Sequence, residues 1–129
     1  MPFRLEMLGD LLHVTYSGVL SVEELRRLSD AIRDTEATLE PTPSRIVDMS
    51  GITGVSIGFD AMSELAEVRR LSPVRNAIKS ALVAPGQLQM GFARMFQQLN
   101  SHPRVIVEVF RDRESALAWL AVPLELPPA

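Results

Sequence analysis

The fold is decided by residues 77–110, AIKSALVAPGQLQMGFARMFQQLNSHPRVIVEVF. An apolar run over 77–83 ends at Pro85-Gly86, and apolar residues then recur at helical spacing over 87–100. The valine-rich run over 104–110 indicates a second strand. Because a helix separates these two strands, the stretch predicts a parallel pair joined by a right-handed crossover.

The same alternation extends to the rest of the chain. Gly9-Asp10 between two apolar runs is typical of a tight hairpin, and Ser21 with Glu24 forms a capping-box pattern before a helix. The sequence predicts strands over 3–8, 11–17, 45–49, 77–83 and 104–110, and helices over 22–39, 59–71, 87–100 and 113–121. This is an α/β fold of order β-β-α-β-α-β-α-β-α, with a mostly parallel five-stranded sheet and an N-terminal hairpin. We expect one domain over residues 1–121 and a Pro-rich C-terminal tail over 122–129.

Polar side chains interrupt every predicted strand. They are Arg4, Glu6, His13, Thr15, Arg45, Lys79 and Glu108. Because strand side chains alternate between faces, these groups could share one wet face while the helices cover the other. Edge strands would also explain most of them, since fully covered parallel strands read as unbroken apolar runs. The sequence leaves both interpretations open.

Composition excludes several classes of protein. The chain has 129 residues, of which 47% are hydrophobic and 22% charged, as in an ordinary globular domain. The absence of cysteine excludes disulfides, thiolate nucleophiles and Cys-ligated zinc, and fits a cytoplasmic location. A net charge of −3 predicts no nucleic-acid partner. No apolar run approaches the roughly 18 residues of a membrane span, so we predict no stable membrane insertion.

Residues that carry out chemistry are few. Asp48 ends a strand, where a carboxylate usually accepts a hydrogen bond from the backbone of the next turn. His13 and His102 have no neighbouring acid or nucleophile in the sequence, and no Gly-x-Ser-x-Gly elbow is present. The glycines of residues 50–58 match neither the dinucleotide fingerprint nor a P-loop. We therefore predict a protein that is not an enzyme, with no metal and no cofactor.

Two groups of residues remain as candidate binding sites. The first is the predicted loop over residues 50–58 with the start of the next helix, because ligands and partners gather at the carboxyl ends of parallel strands. Its candidate partner-binding residues are Asp48, Ser50, Thr53, Ser56, Gly58 and Phe59. The second is a set of large apolar residues that could line a ligand pocket or simply fill the core, namely Met62, Phe92, Met95, Phe96 and Trp119. We expect Phe59 to face inward, Leu88 to share the inner side of its helix with Phe92, and Trp119 to seal the core edge.

Five local stretches share their order and spacing with a known family. They are Tyr16–Ser21, Ile46–Ser50, Ala81–Ala84, Gly91–Phe96 and Ser115–Leu120. They resemble the SpoIIAA-like family, a STAS-type domain related in fold to CRAL-TRIO lipid-transfer domains. The resemblance as a whole covers about residues 3–121. The resemblance implies a small βα superhelix in which consecutive strands are adjacent.

The resemblance also implies a function without catalysis. It points to a bacterial regulatory or binding module that acts through protein–protein contacts, with another protein or a second copy of this chain as partner. The alternative is binding or sensing of an apolar, lipid-like ligand in association with a membrane. In anti-sigma-factor antagonists a serine at the start of the second helix is phosphorylated within Asp-Ser-Ser-Gly. This chain has Ser56-Ile57-Gly58-Phe59 there, so the phosphoacceptor does not carry over, although Ser56 lies nearby.

Overall fold

The computed structural model describes residues 2–72 and 74–123, so most of the predicted tail lies outside the described residues. Five strands and four helices follow the predicted order. They are β1 (Phe3–Leu8), β2 (Leu11–Ser21), α1 (Val22–Thr38), β3 (Arg45–Ser56), α2 (Phe59–Arg70), β4 (Ile78–Val83), α3 (Gln87–Leu99), β5 (Val105–Phe110) and α4 (Arg113–Ala121). Among these described helices, none is long and apolar enough to cross a membrane.

The strands form one sheet in the order β1-β2-β3-β4-β5. β1 and β2 pair antiparallel through the turn at Gly9, whose φ of +65° suits glycine, and the remaining pairs are parallel. The predicted α/β fold with its N-terminal hairpin is therefore confirmed.

Local signals place the helix ends as the sequence predicts. The Glu24 N–H donates to Ser21 Oγ at 3.2 Å, and the Ser115 N–H donates to Asp112 Oδ1 at 2.7 Å. This second hydrogen bond lowers the pKa of Asp112, because it favours the ionised carboxyl. Both side chains satisfy N–H groups that the first turn of a helix leaves free.

The two faces of the sheet are covered unequally. On one face, the main core packs α1, α2 and α3 against strand residues such as Leu12, Val14 and Leu82. On the other face, α4 alone packs over β3, β4 and β5, where Ile46, Ala81, Val83 and Ala116 form a smaller cluster.

Most of the polar strand residues lie on the face of α4. His13, Thr15, Lys79 and Glu108 alternate with core residues on their strands, and Arg4 and Glu6 pair directly with Thr15 and His13. The interpretation of one wetter face is therefore right, with one exception. Arg45 points into the main core together with Val47. Half-exposed Ile106 also lies on the face of α4.

The prediction of a loop over residues 50–58 is wrong, because β3 continues through Ser56. β2 likewise continues past Gly18, and the two strands stay paired from Leu12↔Arg45 to Ser21↔Ser56 through two register shifts. Gly18 sits at one shift with a φ of 100°, which lets the strand continue where an L side chain would be strained. Because β4 pairs with β3 only as far as Asp48↔Val83, residues 17–21 and 49–56 extend beyond it as a two-stranded β2–β3 arm.

Candidate functional site

The candidate partner-binding residues lie along the β2–β3 arm and the start of α2. Asp48 is half-buried, and its Oδ1 accepts a hydrogen bond from the Ser50 N–H at 2.9 Å. This carboxylate therefore shapes the backbone, as the more ordinary interpretation of the sequence expects. Ser50, Thr53, Ser56 and Gly58 are exposed, and Gly58 is the N-cap of α2 without a side-chain cap.

Phe59 was expected to face inward, and this prediction is wrong: the residue is 62% exposed. The buried stripe of α2 is Met62, Leu65, Ala66 and Arg69. Phe59 lies one turn ahead of Met62, in the first turn of the helix, where β3 has already ended. A large aromatic side chain is therefore presented to solvent at the carboxyl edge of the sheet.

A shallow groove opens beside the β2–β3 arm along α3. It has a volume of about 330 Å³ and is lined by Val55, Gln87, Leu88, Gly91, Phe92 and Met95; we call it the α3 groove. Leu88, which was expected to face the core, is 45% exposed, and Met90 is buried instead. Gln89 Nε2 donates to the Ile52 carbonyl at 2.9 Å and so fixes α3 against the unpaired edge of β3.

The proposed apolar ligand residues do not come together in one pocket. Met62 is 1% exposed and belongs to the core, Met95 lines the α3 groove, and Phe96 lines an internal cavity. Phe92 borders both spaces. Trp119 lies on the opposite face of the sheet, with its ring centroid 5.5 Å from that of Phe110. Trp119 therefore packs over the smaller cluster and is separated from the others by the sheet.

Lys79, the single lysine of the chain, is also on that opposite face. Its Nζ donates to the Trp119 carbonyl at 2.8 Å and to the Val122 carbonyl at 2.5 Å, and lies 4.9 Å from the centroid of the Trp119 ring. Both carbonyls lie at the C-terminal end of α4, where a positive charge is favoured. Lys79 thus anchors α4 to the sheet.

The internal cavity lies between the sheet and α1 and α3, and we call it the inner cavity. Its volume is about 60 Å³, and its lining residues are apolar except for Tyr16, Ser29, Arg45, Arg69 and Ser80. This volume is room for about four water molecules.

Three buried charges meet beside the inner cavity. Glu36 Oε1 accepts hydrogen bonds from Arg45 Nη1 and Arg69 Nη2, each at 3.1 Å, and the three side chains are 3%, 5% and 11% exposed. Arg45 Nε also donates to Ser80 Oγ at 3.1 Å. Burial, together with the charge of Arg69, lowers the pKa of Arg45 to about 10, and Glu36 opposes this shift. We call Glu36, Arg45 and Arg69 the arginine cluster.

The arginine cluster was not predicted, although the sequence carries a signal for it. Glu36 continues the buried stripe of Leu25, Leu28 and Ile32 on α1, and Arg69 continues the stripe of Met62 and Leu65 on α2. A charged residue that falls on an apolar stripe is expected to find a partner of opposite charge in the core.

The two histidines make different hydrogen bonds in different parts of the fold. His102 is buried, its Nδ1 accepts from the Arg104 N–H at 3.1 Å and its Nε2 donates to the Ser72 carbonyl at 2.9 Å, so the ring joins two loops. His13 Nδ1 accepts from Arg113 Nη2 at 3.1 Å on the face of α4. Within residues 2–72 and 74–123, no three His, Asp or Glu side chains are grouped so as to hold a metal ion.

His13 provides a testable link between α4 and the sheet. Burial and the charge of Arg113 lower its pKa below 6.5, and Glu6 opposes this shift. Its contribution to stability is therefore present above pH 6.5 and lost as the pH falls into the window below it. Replacing Arg113 with glutamine should raise the pKa of His13 in an NMR titration of the imidazole, whereas Glu6→Gln should lower it. If both substitutions moved the pKa in the same direction, the contacts of His13 would be wrong.

Comparison with known proteins shows the fold. An uncharacterized protein of the DUF3478 family from Shewanella loihica PV-4, with a SpoIIAA-like fold, aligns over 92% of this chain and 92% of its own, at a TM-score of 0.59 and 20% identity. The chain has a SpoIIAA-like fold. At this identity the likeness carries the fold alone, and it confirms the predicted SpoIIAA-like architecture. No protein-family profile and no curated protein matches the chain.

Proposed function

We propose that this SpoIIAA-like domain is a non-enzymatic, STAS-type regulatory module that binds a partner protein through the α3 groove. The observation that carries this proposal is the uncharged, largely apolar lining of an open groove beside exposed Leu88. Phe59 adds a second exposed apolar side chain at the same edge of the sheet, because α2 and α3 both start where parallel strands end. The partner contributes an apolar side chain or short apolar segment to this groove.

The energetics favour a protein partner at this surface. Large apolar side chains that enter a pocket supply most of the binding energy at protein interfaces, and uncharged residues dominate the centre of such interfaces. Gln87 adds an uncharged polar side chain to the lining of the groove. The hydrogen bond from Gln89 Nε2 to the Ile52 carbonyl holds α3 against β3 beside the groove.

The other candidate functions have less support. Lipid-like ligands occupy pockets of several hundred Å³, on the order of 300–1,000 Å³. The inner cavity is about 60 Å³. The α3 groove has about 330 Å³ but is open to solvent, so it would leave much of a lipid chain uncovered. The predicted ligand residues are divided between two faces of the sheet. For catalysis, Asp48 is engaged with the backbone, and His13 and His102 each bond to structural groups.

Affinity purification with matched variants tests the proposal. The tagged chain is expressed in the organism that encodes it, and enriched proteins are quantified by mass spectrometry for wild type, Gly91→Leu and Ile106→Asp. A β-carbon at Gly91 meets nothing within 4 Å, so Gly91→Leu fills the groove, and it should raise stability by up to about 1 kcal/mol because leucine favours helix. Ile106 is as exposed as Leu88, at 45%, but lies on the opposite face.

We expect one or a few partners that Ile106→Asp retains and Gly91→Leu loses by at least tenfold. Enrichment of a second copy of this chain with the same pattern would identify a homodimer through the groove. Partners that survive Gly91→Leu, in a variant whose unfolding midpoint is unchanged or raised, would contradict the proposal.

A further inference from the structure

The arginine cluster carries an excess of positive charge within the core. Two guanidinium groups face one carboxylate, and both of them bind the same oxygen, Glu36 Oε1. A buried charge without a counter-charge is costly, because the low-dielectric interior does not replace the solvation that water provides. Among the described residues, no second carboxylate forms an ion pair with Arg45 or Arg69.

Arg45, Arg69 and Ser80 form part of the wall of the inner cavity, whereas Glu36 does not. Arg45 uses Nε and Nη1 for Ser80 and Glu36, and Arg69 uses Nη1 and Nη2 for Ser72 and Glu36. Both side chains therefore keep N–H donors that these bonds do not use. Glu36 Oε2 has no hydrogen-bond partner among the described residues, but this oxygen lies outside the cavity wall.

The remainder of the cavity wall is apolar. It is formed by residues such as Leu25, Leu28, Ile52, Leu82, Phe92 and Phe96. An apolar cavity of this kind holds water poorly, and a hydrocarbon chain fits it better. Its volume of about 60 Å³ accommodates roughly four to six non-hydrogen atoms. The cavity thus combines two positively charged residues with N–H donors and a small apolar space.

We propose that the inner cavity binds a short-chain monocarboxylate, with its carboxylate on Arg45 and Arg69 and its hydrocarbon tail among the apolar walls. The planar guanidinium presents paired donors that match the two oxygens of a carboxylate. The bound anion neutralises the excess charge of the cluster. This site differs from the α3 groove, and Phe92 is the one residue that lines both spaces.

Titration with sodium butyrate at constant ionic strength tests the site on the full chain. Amide chemical shifts and the melting temperature are followed, with acetate as the probe without a tail and 1-butanol as the probe without a charge. We expect butyrate to shift the signals of cavity residues such as Leu28 and Ile52 in a saturable way and to raise the melting temperature. Acetate and butanol should each bind at least tenfold more weakly.

Two variants separate the two halves of the site. Arg69→Gln leaves Arg45 and Glu36 as a one-to-one pair, so the chain should remain folded while butyrate affinity falls at least tenfold. Ser29→Leu extends a side chain from α1 into the apolar space and should abolish binding with the charges intact. Equal binding of butyrate and butanol would overturn the proposal, and so would an Arg69→Gln variant that is folded and binds butyrate as tightly as wild type. Absence of any saturable shift at cavity residues would overturn it as well.

Discussion

Replacement of Glu36 with glutamine should lower the free energy of unfolding by about 3–5 kcal/mol. The substitution preserves the shape of the side chain and removes its charge, so Arg45 and Arg69 are left in the core without a carboxylate. Their mutual repulsion is then no longer offset, and burial already disfavours the charged form of Arg45. Urea-induced unfolding monitored by circular dichroism measures the change.

Burial, rather than distance, should decide the size of this effect. Glu67 Oε1 lies 2.6 Å from Arg70 Nη2, closer than the atoms of the arginine cluster, but both side chains are exposed. Glu67→Gln should therefore leave the unfolding midpoint almost unchanged, because exposed pairs contribute little. Arg69→Gln should cost less than Glu36→Gln, since it leaves no charge unpaired. Equal effects of Glu36→Gln and Glu67→Gln would show that the cluster is not buried as described.

Replacement of Gly51 with alanine should destabilise the fold by about 2–3 kcal/mol. A β-carbon at Gly51 would lie 2.5 Å from the Tyr16 carbonyl oxygen and 3.2 Å from Ser17 Cα, both of which belong to the main chain of β2. These atoms cannot move without disturbing the ladder at the register shift between Thr15 and Ser17. The variant should also lose protection from hydrogen exchange along the β2–β3 arm.

Gly91→Ala is the matched control for this effect. It makes the same change of one methyl group, but in the exposed part of a helix with nothing within 4 Å of the new atom. It should stabilise the chain by about 0.5–1 kcal/mol, because alanine loses less backbone freedom on folding. If Gly51→Ala were as neutral or stabilising as Gly91→Ala, the continuous pairing of β2 with β3 through residues 49–56 would be contradicted.

Local sequence patterns predict the order of helices and strands, but they do not show how far β2 and β3 stay paired. The βαβ alternation over residues 77–110 and the caps at Ser21 and Asp112 are local signals, and all of them are confirmed. The arm was missed because Gly18, Gly51 and Gly54 read as loop residues. In the structure they lie within strands, where Gly18 has a positive φ and Gly51 allows a close approach of two backbones.

The candidate sites show the same limit. Helical spacing correctly identified the buried positions Met62 and Phe92 but misplaced Phe59 and Leu88, which lie in the first turns of α2 and α3 beyond the edge of the sheet. Residue type grouped Trp119 with residues on the other face, because the side of the sheet that a helix occupies depends on tertiary packing. The arginine cluster joins residues from α1, β3 and α2, and no local motif marks such a meeting point.

Site-specific photo-crosslinking in cells of the organism that encodes this protein tests partner binding most directly. A photoreactive phenylalanine analogue is placed at Leu88, in the α3 groove, or at Ile106, which is equally exposed on the opposite face. The proposed function predicts a discrete crosslinked product from position 88 that disappears when Gly91→Leu is added, and none from position 106. A product from position 106 alone, or one from position 88 that Gly91→Leu leaves unchanged, would contradict a binding module that works through the α3 groove.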